Sequence, residues 1–248
     1  MERNSCVHGL ILLSRPCGEN NRIITLLTSE RGLIDAMQFG GRKSRLRSML
    51  QLFHSGKIWL YENPSKEQIK ITDFDVTSYR PTLRESLVKN WAASVAMETV
   101  LKTKCAGEKE KAWILANAFL DGIDISDESE AKVALLRFLW RYLDLLGLQA
   151  DTKNCAHCFS PLTTVGIYSK SDSSFVCPDC AEAFVNEQKP FALSGEALRF
   201  LEAVKNKSSK ESRAIKLSEN ARGQLQNALF TLIENAAGTS LYTLKIKL

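Results

Sequence analysis

Two pairs of cysteines constrain this chain more than any other feature of its sequence. Cys155 with Cys158 and Cys177 with Cys180 each enclose two residues, and eighteen residues separate the pairs. Two enclosed residues form a tight turn whose backbone amides point at the sulfur atoms, and two such turns build a closed four-thiolate site. The intervening segment has two β-prone pieces, 165–168 and 174–176, divided by a polar turn. The spacing therefore predicts a ribbon that holds one structural zinc ion.

The same ligands leave other interpretations open. An iron site of the rubredoxin type also uses four cysteines, and a redox dithiol uses a single pair. His157 lies between two ligands and could replace one, although four cysteines already complete the shell and predict an exposed, uninvolved histidine. Cys6, Cys17 and Cys105 lie apart from the quartet, and we expect them to be small buried apolar residues.

The first 80 residues have the pattern of a small β-barrel or sandwich. Segments rich in aliphatic and β-branched residues at 7–14, 22–28, 33–39, 57–61 and 69–76 alternate with Gly, Asn and Pro turns. Apolar residues then recur at helical spacing, first at Leu83, Leu87 and Trp91, and the third such stripe stops at Gly147. The predicted domains are 1–80, of strands, and 81–248, helical with the cysteine module inserted at about 151–190.

The helical part has recognisable start signals. Ser194 and Ser218 each precede an apolar periodic segment, so we expect both to cap the N-terminus of a helix. The residues between these helices, 206–213, are dense in Lys and Ser and predict a polar loop. The helices on both sides of the cysteine insert are too short to stand alone, so we expect them to pack together.

A cationic segment follows the third predicted strand. The net charge of +5 is compatible with a polyanionic partner without demonstrating one. Gly40 and Gly41 let a backbone approach phosphates, and clustered cations make salt-sensitive contacts that do not depend on sequence, although such a run also suits a solvated loop. The candidate DNA-binding cations are Arg42, Lys43, Arg45 and Arg47, with Arg15 and Arg22 extending the positive face if the strands form a barrel.

Aromatic residues flank the cationic segment on both sides. Phe39 and Phe53 could stack on bases, although aromatics at strand ends belong more often to the core. No phosphate-binding loop is present, because Gly56-Lys57 lacks both the earlier glycine and the following Ser or Thr, and no nucleophile elbow, zinc-protease or deaminase motif occurs. We therefore predict a protein that is not an enzyme. The rival is an enzyme that uses Glu19 and Asp35 as an acid–base pair.

The N-terminal apolar run at 10–13 is shorter than a signal peptide or a membrane span requires. We expect a cytoplasmic protein that does not contact the membrane. Thiols in that compartment are kept reduced, so paired cysteines favour a metal over disulfides.

Several segments together resemble the RecO family of bacterial DNA-repair proteins. The likeness is carried by residues 18–28 (GENNRIITLLT), 31–33 (RGL), 40–44 (GGRKS) and 50–53 (LQLF), and the cysteine quartet is similar to the zinc-bearing branch of that family. Two departures stand out. Leu52 lies where many relatives have Pro, and the chain ends in a basic tail at 245–248.

The resemblance implies an α+β fold class: an N-terminal oligonucleotide-binding (OB-fold) β-barrel followed by an α-helical domain with an inserted four-cysteine zinc ribbon. It implies a recombination mediator that binds single- and double-stranded DNA, anneals complementary strands, and helps load recombinase onto strands coated by single-strand-binding protein. The implied partners are the RecR protein and the acidic C-terminal tail of the single-strand-binding protein, in the bacterial cytoplasm at the nucleoid. The alternative is a zinc-ribbon scaffold that binds protein and not DNA.

Overall fold

The computed structural model describes residues 3–40, 44–105, 107–182 and 191–246. Five strands close a barrel in the order β1-β2-β3-β5-β4. β3 and β5 are parallel where Met37 pairs with Lys70, and the other neighbours are antiparallel. The strand bounds are β1 Asn4–Cys17, β2 Asn21–Thr28, β3 Gly32–Gln38, β4 Ser55–Asn63 and β5 Gln68–Ser78.

The long first strand, β1, pairs with two neighbouring strands. Its first half pairs with β4, from Asn4 opposite Tyr61 to Leu10 opposite Ser55. Its second half pairs with β2, and the register shifts between Ile11 and Leu13. Such a bulge bends a strand and increases its twist, so one strand can close both sides of a small barrel.

A short helix plugs the barrel. Helix α1, Arg45–Met49, follows β3, and Leu50 at its C-terminus is buried in the barrel core. Leu46 and Met49, on the same side of the helix, pack against that core. The core residues share inward-facing positions of the strands and are Val7, Ile11, Ile24, Leu26, Ala36, Leu50, Ile58, Leu60, Ile71, Phe74 and Val76.

Three helices follow the barrel: α2 Thr82–Glu85, α3 Leu87–Lys102 and α4 Lys109–Asp124. The apolar stripe that begins at Leu83 is therefore not one helix. Ser86 has an extended backbone and accepts a hydrogen bond from the Lys89 amide, which ends α2 and caps α3. Leu87, at the first position of α3, is 69% exposed and lies outside the core.

The chain forms two compact units, Met1–Lys132 with Leu241–Leu248 and Val133–Ser240. In the first unit, the C-terminal 3₁₀ turn Thr243–Lys245 lies against α3, where the Trp91 indole N–H donates to the Thr243 carbonyl at 3.0 Å. Part of the basic tail is thus fixed in place, while residues 247–248 lie outside the described residues.

The second unit surrounds the cysteine segment with helices. A sheet in the order β7-β6-β8 is formed by β6 Val165–Ser169, β7 Ser174–Val176 and β8 Ala192–Ser194. The Trp140 indole N–H donates to the Leu201 carbonyl at 3.0 Å, so helices before and after the insert are in contact, as expected. The helices are α5 Glu128–Leu145, which belongs to this unit from Val133 onward, α6 Pro178–Ala181, α7 Gly195–Asn206, α8 Ser209–Arg213 and α9 Glu219–Ala237.

The predicted fold class is confirmed: an OB-like barrel, then helices, with a four-cysteine cluster inserted among them. The helix caps are also confirmed, because Ser194 accepts from the Ala197 amide and Ser218 from the Ala221 amide. The loop prediction for 206–213 was wrong. Ser208 and Glu211 form a reciprocal capping box that starts α8 inside that polar segment. The division into domains at about residue 80 stays a prediction.

Candidate metal centre and nucleic-acid interface

The four cysteines of the quartet meet in space. Their Sγ atoms all lie within 4.8 Å of one another. The Sγ atoms of Cys158 and Cys177 are 3.7 Å apart, far longer than the ~2.05 Å of a disulfide. Zinc–sulfur bonds of ~2.3 Å in a tetrahedron place the sulfurs ~3.8 Å apart, so the cluster has the size of a metal site.

Both turns are built by backbone hydrogen bonds. In the first, the Phe159 amide donates to the Cys155 carbonyl at 3.0 Å, and in the second the Ala181 amide donates to the Cys177 carbonyl at 3.0 Å. The Cys177 amide donates to the Cys155 sulfur at 3.3 Å and links the two turns. The Ala156 amide also donates to the Phe175 carbonyl, which ties the first turn to β7. The ribbon strands therefore set the positions of the sulfur atoms.

The electrostatics of the thiols favour a bound cation. Burial opposes ionisation of Cys155, but the amides of Cys158, Cys177 and His157 together outweigh burial and lower its pKa to about 6. Hydrogen bonds with the thiols of Cys177 and Cys158 raise the pKa of Cys180 to about 12. Cys155 thus ionises readily while Cys180 resists ionisation. A divalent cation at the centre of the cluster would stabilise the thiolate form of both residues. The four residues fit a metal ion, which would hold the two turns together.

As predicted, His157 is exposed and is not a member of the cysteine cluster, but its side chain has a partner elsewhere. Its Nε2 lies 2.9 Å from a carboxylate oxygen of Asp172 in the β6–β7 turn. The Ser169 hydroxyl donates to the same carboxylate at 2.5 Å, and these two hydrogen bonds lower the pKa of Asp172. His157 therefore ties the first cysteine turn to the ribbon hairpin.

The cysteines outside the quartet are placed differently from one another. Cys105 is buried, as predicted, and burial raises the pKa of its thiol. Cys6 is exposed on β1 and Cys17 is only half-buried at the end of that strand, so the prediction of burial was wrong for these two. The outward side of β1 at Cys6 is open, which the apolar surroundings in the sequence did not indicate.

The cationic segment is only partly described. Arg42 and Lys43 lie outside the described residues. Arg45 is exposed and Arg47 half-buried on α1, whose other side plugs the barrel. Because Leu46, Met49 and Leu50 anchor this helix in the core, the two arginines are fixed to the barrel and not to a free loop.

The structure separates Arg15 from Arg22. Arg15 lies opposite Ile23, and Arg22 lies opposite Pro16 and Gln38. Opposed residues share a face and consecutive residues alternate, so the two arginines lie on opposite faces of the strands. Arg15 also donates to Asp35 at 2.7 Å, which neutralises its charge locally. Arg22 pairs with Gln38 at the end of β3, the strand that the cationic segment follows along the chain.

The two flanking phenylalanines also differ. Phe39 is 38% exposed, and the Lys70 ammonium lies 5.4 Å from the centre of its ring. Phe53 is 4% exposed with a left-handed backbone (φ +69°), and it belongs to the core. Of the two rings, Phe39 is the one available for stacking. Lys70 is a neighbour of this site that the sequence did not reveal, because only the parallel β3–β5 pairing brings it there.

A separate apolar cleft of about 480 Å³ lies within the first unit. Lys102 lies at this cleft, and both carboxylate oxygens of Glu98 are engaged by the amides of Tyr242 and Thr243. Those hydrogen bonds lower the pKa of Glu98 against the opposing effect of its burial. The apolar residues that line the cleft are Leu12, Leu13, Leu52, Phe53, Met97 and Leu101.

No helix within the described ranges is both long and apolar enough to span a lipid bilayer. The observations define a class of protein in which a closed, OB-like barrel with a cationic end is followed by helices that carry a four-cysteine metal site.

Comparison with known proteins identifies the family. The profile described as "Recombination protein O N terminal" matches residues 1–80, and "Recombination protein O C terminal" matches residues 84–244. The chain belongs to the RecO family, whose members act in DNA repair and recombination.

Curated relatives carry the name "DNA repair protein RecO". One from Bacillus velezensis is 30% identical over 177 residues, covering 70% of this chain and 68% of the relative. One from Pelotomaculum thermopropionicum is 28% identical over 199 residues, 79% of this chain and 75% of the relative. One from Dehalococcoides mccartyi is 23% identical over 224 residues, 89% of this chain and 85% of the relative.

Proposed function

We propose that this protein is a recombination mediator, without enzymatic activity of its own. It binds single- and double-stranded DNA, anneals complementary strands, and helps load recombinase onto strands coated by single-strand-binding protein, in the bacterial cytoplasm at the nucleoid. The observation that carries the proposal is that α1 fixes Arg45 and Arg47 to the barrel, while the Lys70 ammonium lies over the exposed ring of Phe39. Fixed cations beside an open aromatic ring suit a phosphate backbone with unstacked bases.

The test is DNA binding across a salt series. Replacing Arg42, Lys43, Arg45 and Arg47 by Ala should weaken binding of a single-stranded oligonucleotide. It should also reduce the slope of log K against log salt by about three at most, since each phosphate contact contributes ~0.7. The matched control replaces four exposed lysines of the second unit, Lys170, Lys205, Lys207 and Lys210, and should leave the slope unchanged.

The outcomes separate the mediator from its alternative. If the folded wild-type protein does not bind oligonucleotides at low salt, the result favours the alternative, a scaffold that binds only protein. If the quadruple variant binds the oligonucleotide as tightly as the wild type does, the cationic segment is not part of the DNA-binding site. Turnover of a nucleotide or DNA substrate by the purified protein would revive the enzyme interpretation, and Asp35→Asn would then have to abolish it.

The metal is proposed to be one structural zinc ion held by Cys155, Cys158, Cys177 and Cys180. The support is the thiolate ligand set and the ~3.8 Å sulfur spacing that zinc requires. When bound, zinc would contribute to folding and would leave no vacant position for chemistry. Elemental analysis of the purified protein tests this, and stoichiometric iron would contradict it.

The proposed protein partners are RecR and the acidic C-terminal tail of single-strand-binding protein. The apolar cleft with Lys102 beside it supports binding of the single-strand-binding protein tail. Such a cleft suits an acidic peptide that also carries apolar side chains. Leu52 is 41% exposed in this cleft, so Leu52→Glu should remove binding of a labelled tail peptide without unfolding the protein. Ile125→Glu, at an exposed position outside the cleft, is the control. Co-purification with RecR tests the first partner.

A further inference from the structure

Trp59 is the most exposed tryptophan of the chain. It is 38% exposed on β4, whereas Trp91 is 7% and Trp140 0% exposed and Trp113 is half-buried. Its neighbours Ile58 and Leu60 point into the barrel core, so Trp59 points outward. Single exposed apolar residues are common and need no explanation, so the environment of Trp59 decides what it means.

Trp59 begins a row of side chains that leads to the cationic segment. Tyr61, two residues later on the same strand, shares its outward face and lies opposite Lys70 on β5. Lys70 lies opposite Met37 on β3, and its ammonium group lies over the ring of Phe39. We call Trp59, Tyr61, Lys70 and Phe39 the aromatic track. It crosses three strands and ends at the residue before Gly40.

The backbone under Trp59 is fixed by a bulge. The β4–β5 register shifts between Trp59 and Leu60, and the Thr72 hydroxyl donates to the Trp59 carbonyl at 3.1 Å. Bulges re-aim side chains and are frequent beside functional sites. The position of the indole on the outer face is therefore set by the sheet.

The two ends of the aromatic track differ in the sign of the charges beside them. Asp73 lies opposite Trp59 and Asp75 opposite Lys57, so the β5 side of Trp59 is acidic. The carboxylate of Asp73 accepts the Phe74 amide at 2.8 Å, which satisfies part of its charge. In the other direction the track passes Lys70 and ends at Phe39, which the cationic segment follows along the chain. A polyanion is thus favoured along the track toward the cationic segment and disfavoured beyond Trp59.

We infer that the aromatic track binds a single-stranded nucleic acid, whose bases stack on Phe39, Tyr61 and Trp59 while Lys70 neutralises a phosphate. This inference rests on the proposed DNA binding and extends it from the cationic end of the barrel onto the outer face of β4. With strands ~4.8 Å apart, the track is ~10 Å wide, which accommodates about three bases stacked at ~3.4 Å. Stacking of this kind tolerates any sequence, because every base has a π-face.

Tryptophan fluorescence tests the inference directly, because Trp59 is the exposed indole. Oligothymidylate should quench the emission of the wild type, and Trp59→Phe should abolish the quenching while it keeps most of the affinity.

Affinity measurements test the individual residues of the track. By fluorescence anisotropy, Trp59→Ala and Tyr61→Ala should each bind oligothymidylate at least about tenfold more weakly than the wild type does. Lys70→Ala should reduce the salt slope by ~0.7. Phe159→Ala, which removes the most exposed aromatic ring among the described residues of the second unit, should bind as the wild type does.

The outcomes distinguish the track from the proposed function. If the wild type binds oligothymidylate, and Trp59→Ala and Tyr61→Ala bind it with unchanged affinity, the track is overturned while DNA binding stands. Quenching that persists in Trp59→Phe would also overturn it, since another indole would be the reporter. If the wild type does not bind at all, the proposed function fails and the track fails with it. Circular dichroism of each variant excludes unfolding as the cause.

Discussion

Arg80 donates from its Nε to Asp121 at 2.7 Å, and the two partners differ sharply in burial: the arginine side chain is 2% exposed and the aspartate 55%. Arg80 also donates to the Phe53 carbonyl and to the Asn117 side chain. It thereby connects the turn before β4 with helix α4. A guanidinium has five donors in a fixed fork, so one buried arginine can satisfy three acceptors on separate elements.

Removing the buried partner should therefore cost far more than neutralising the exposed one. Arg80→Ala leaves the Phe53 carbonyl without its charged donor in the interior, and we expect it to lower the free energy of unfolding by about 2–4 kcal/mol. Asp121→Asn keeps an acceptor and is exposed, so it should cost less than ~1 kcal/mol. Urea denaturation followed by circular dichroism measures both. Equal losses would contradict the connecting role of Arg80.

His54 should make the stability of the first unit depend on pH. Burial, with the charges of Arg84 and Arg80, lowers the pKa of His54 below its ordinary value of 6.5, against a raising effect of the Met49 carbonyl. The unfolded chain therefore binds a proton at higher pH than the folded chain does. Stability should be complete above pH ~6.5 and should fall as the pH decreases below it.

The geometry explains why His54 is held neutral. Its Nδ1 lies 2.8 Å from the Met49 carbonyl and its Nε2 lies 2.6 Å from an Arg84 nitrogen, so Nδ1 carries the proton and Nε2 accepts from the guanidinium. His54→Gln keeps an acceptor for Arg84 and removes the titration. Thermal unfolding between pH 7.5 and 5.5 should show a smaller loss for this variant than for the wild type. Parallel profiles would contradict the assignment.

Loss of one thiolate should release the metal and destabilise the second unit. Cys177→Ser should contain less than one metal ion per chain and should unfold about 5–10 °C below the wild type, because structural metal binding is part of the folding free energy. Elemental analysis and differential scanning calorimetry check the two effects. Cys6→Ser, at an exposed cysteine outside the quartet, should change neither.

Phe159 should be replaceable by glycine with a gain in stability. It follows the first cysteine turn with a left-handed backbone (φ +59°) while its ring is 77% exposed. Left-handed geometry costs an L-residue ~1–2 kcal/mol, and glycine adds ~0.5–1 kcal/mol of unfolded-state entropy. Phe159→Gly should therefore stabilise the second unit by about 0.5–1 kcal/mol in urea denaturation. A loss of stability would show that the exposed ring makes a stabilising contact.

Features that depend on neighbouring residues were predictable from the sequence. The cysteine quartet, the two ribbon strands and the Ser194 and Ser218 caps were all predicted, because tight turns, short β-prone pieces and helix N-termini are determined by local chemistry. The strand pattern also predicted the five barrel strands, although several of their ends differ from the observed bounds by a few residues. The capping box at Ser208 was missed because the polar composition of that segment suggested a loop.

The sequence by itself determined which segments are strands and helices and which residues can bind a metal, since these follow from local periodicity and spacing. The tertiary structure alone decided that Arg15 and Arg22 lie on opposite faces, that Phe39 is open while Phe53 is buried, and that Trp59, Tyr61 and Lys70 form one row. These relations depend on strand register and barrel closure. A shift of one residue in register would exchange every inward and outward side chain, and local sequence does not specify that choice.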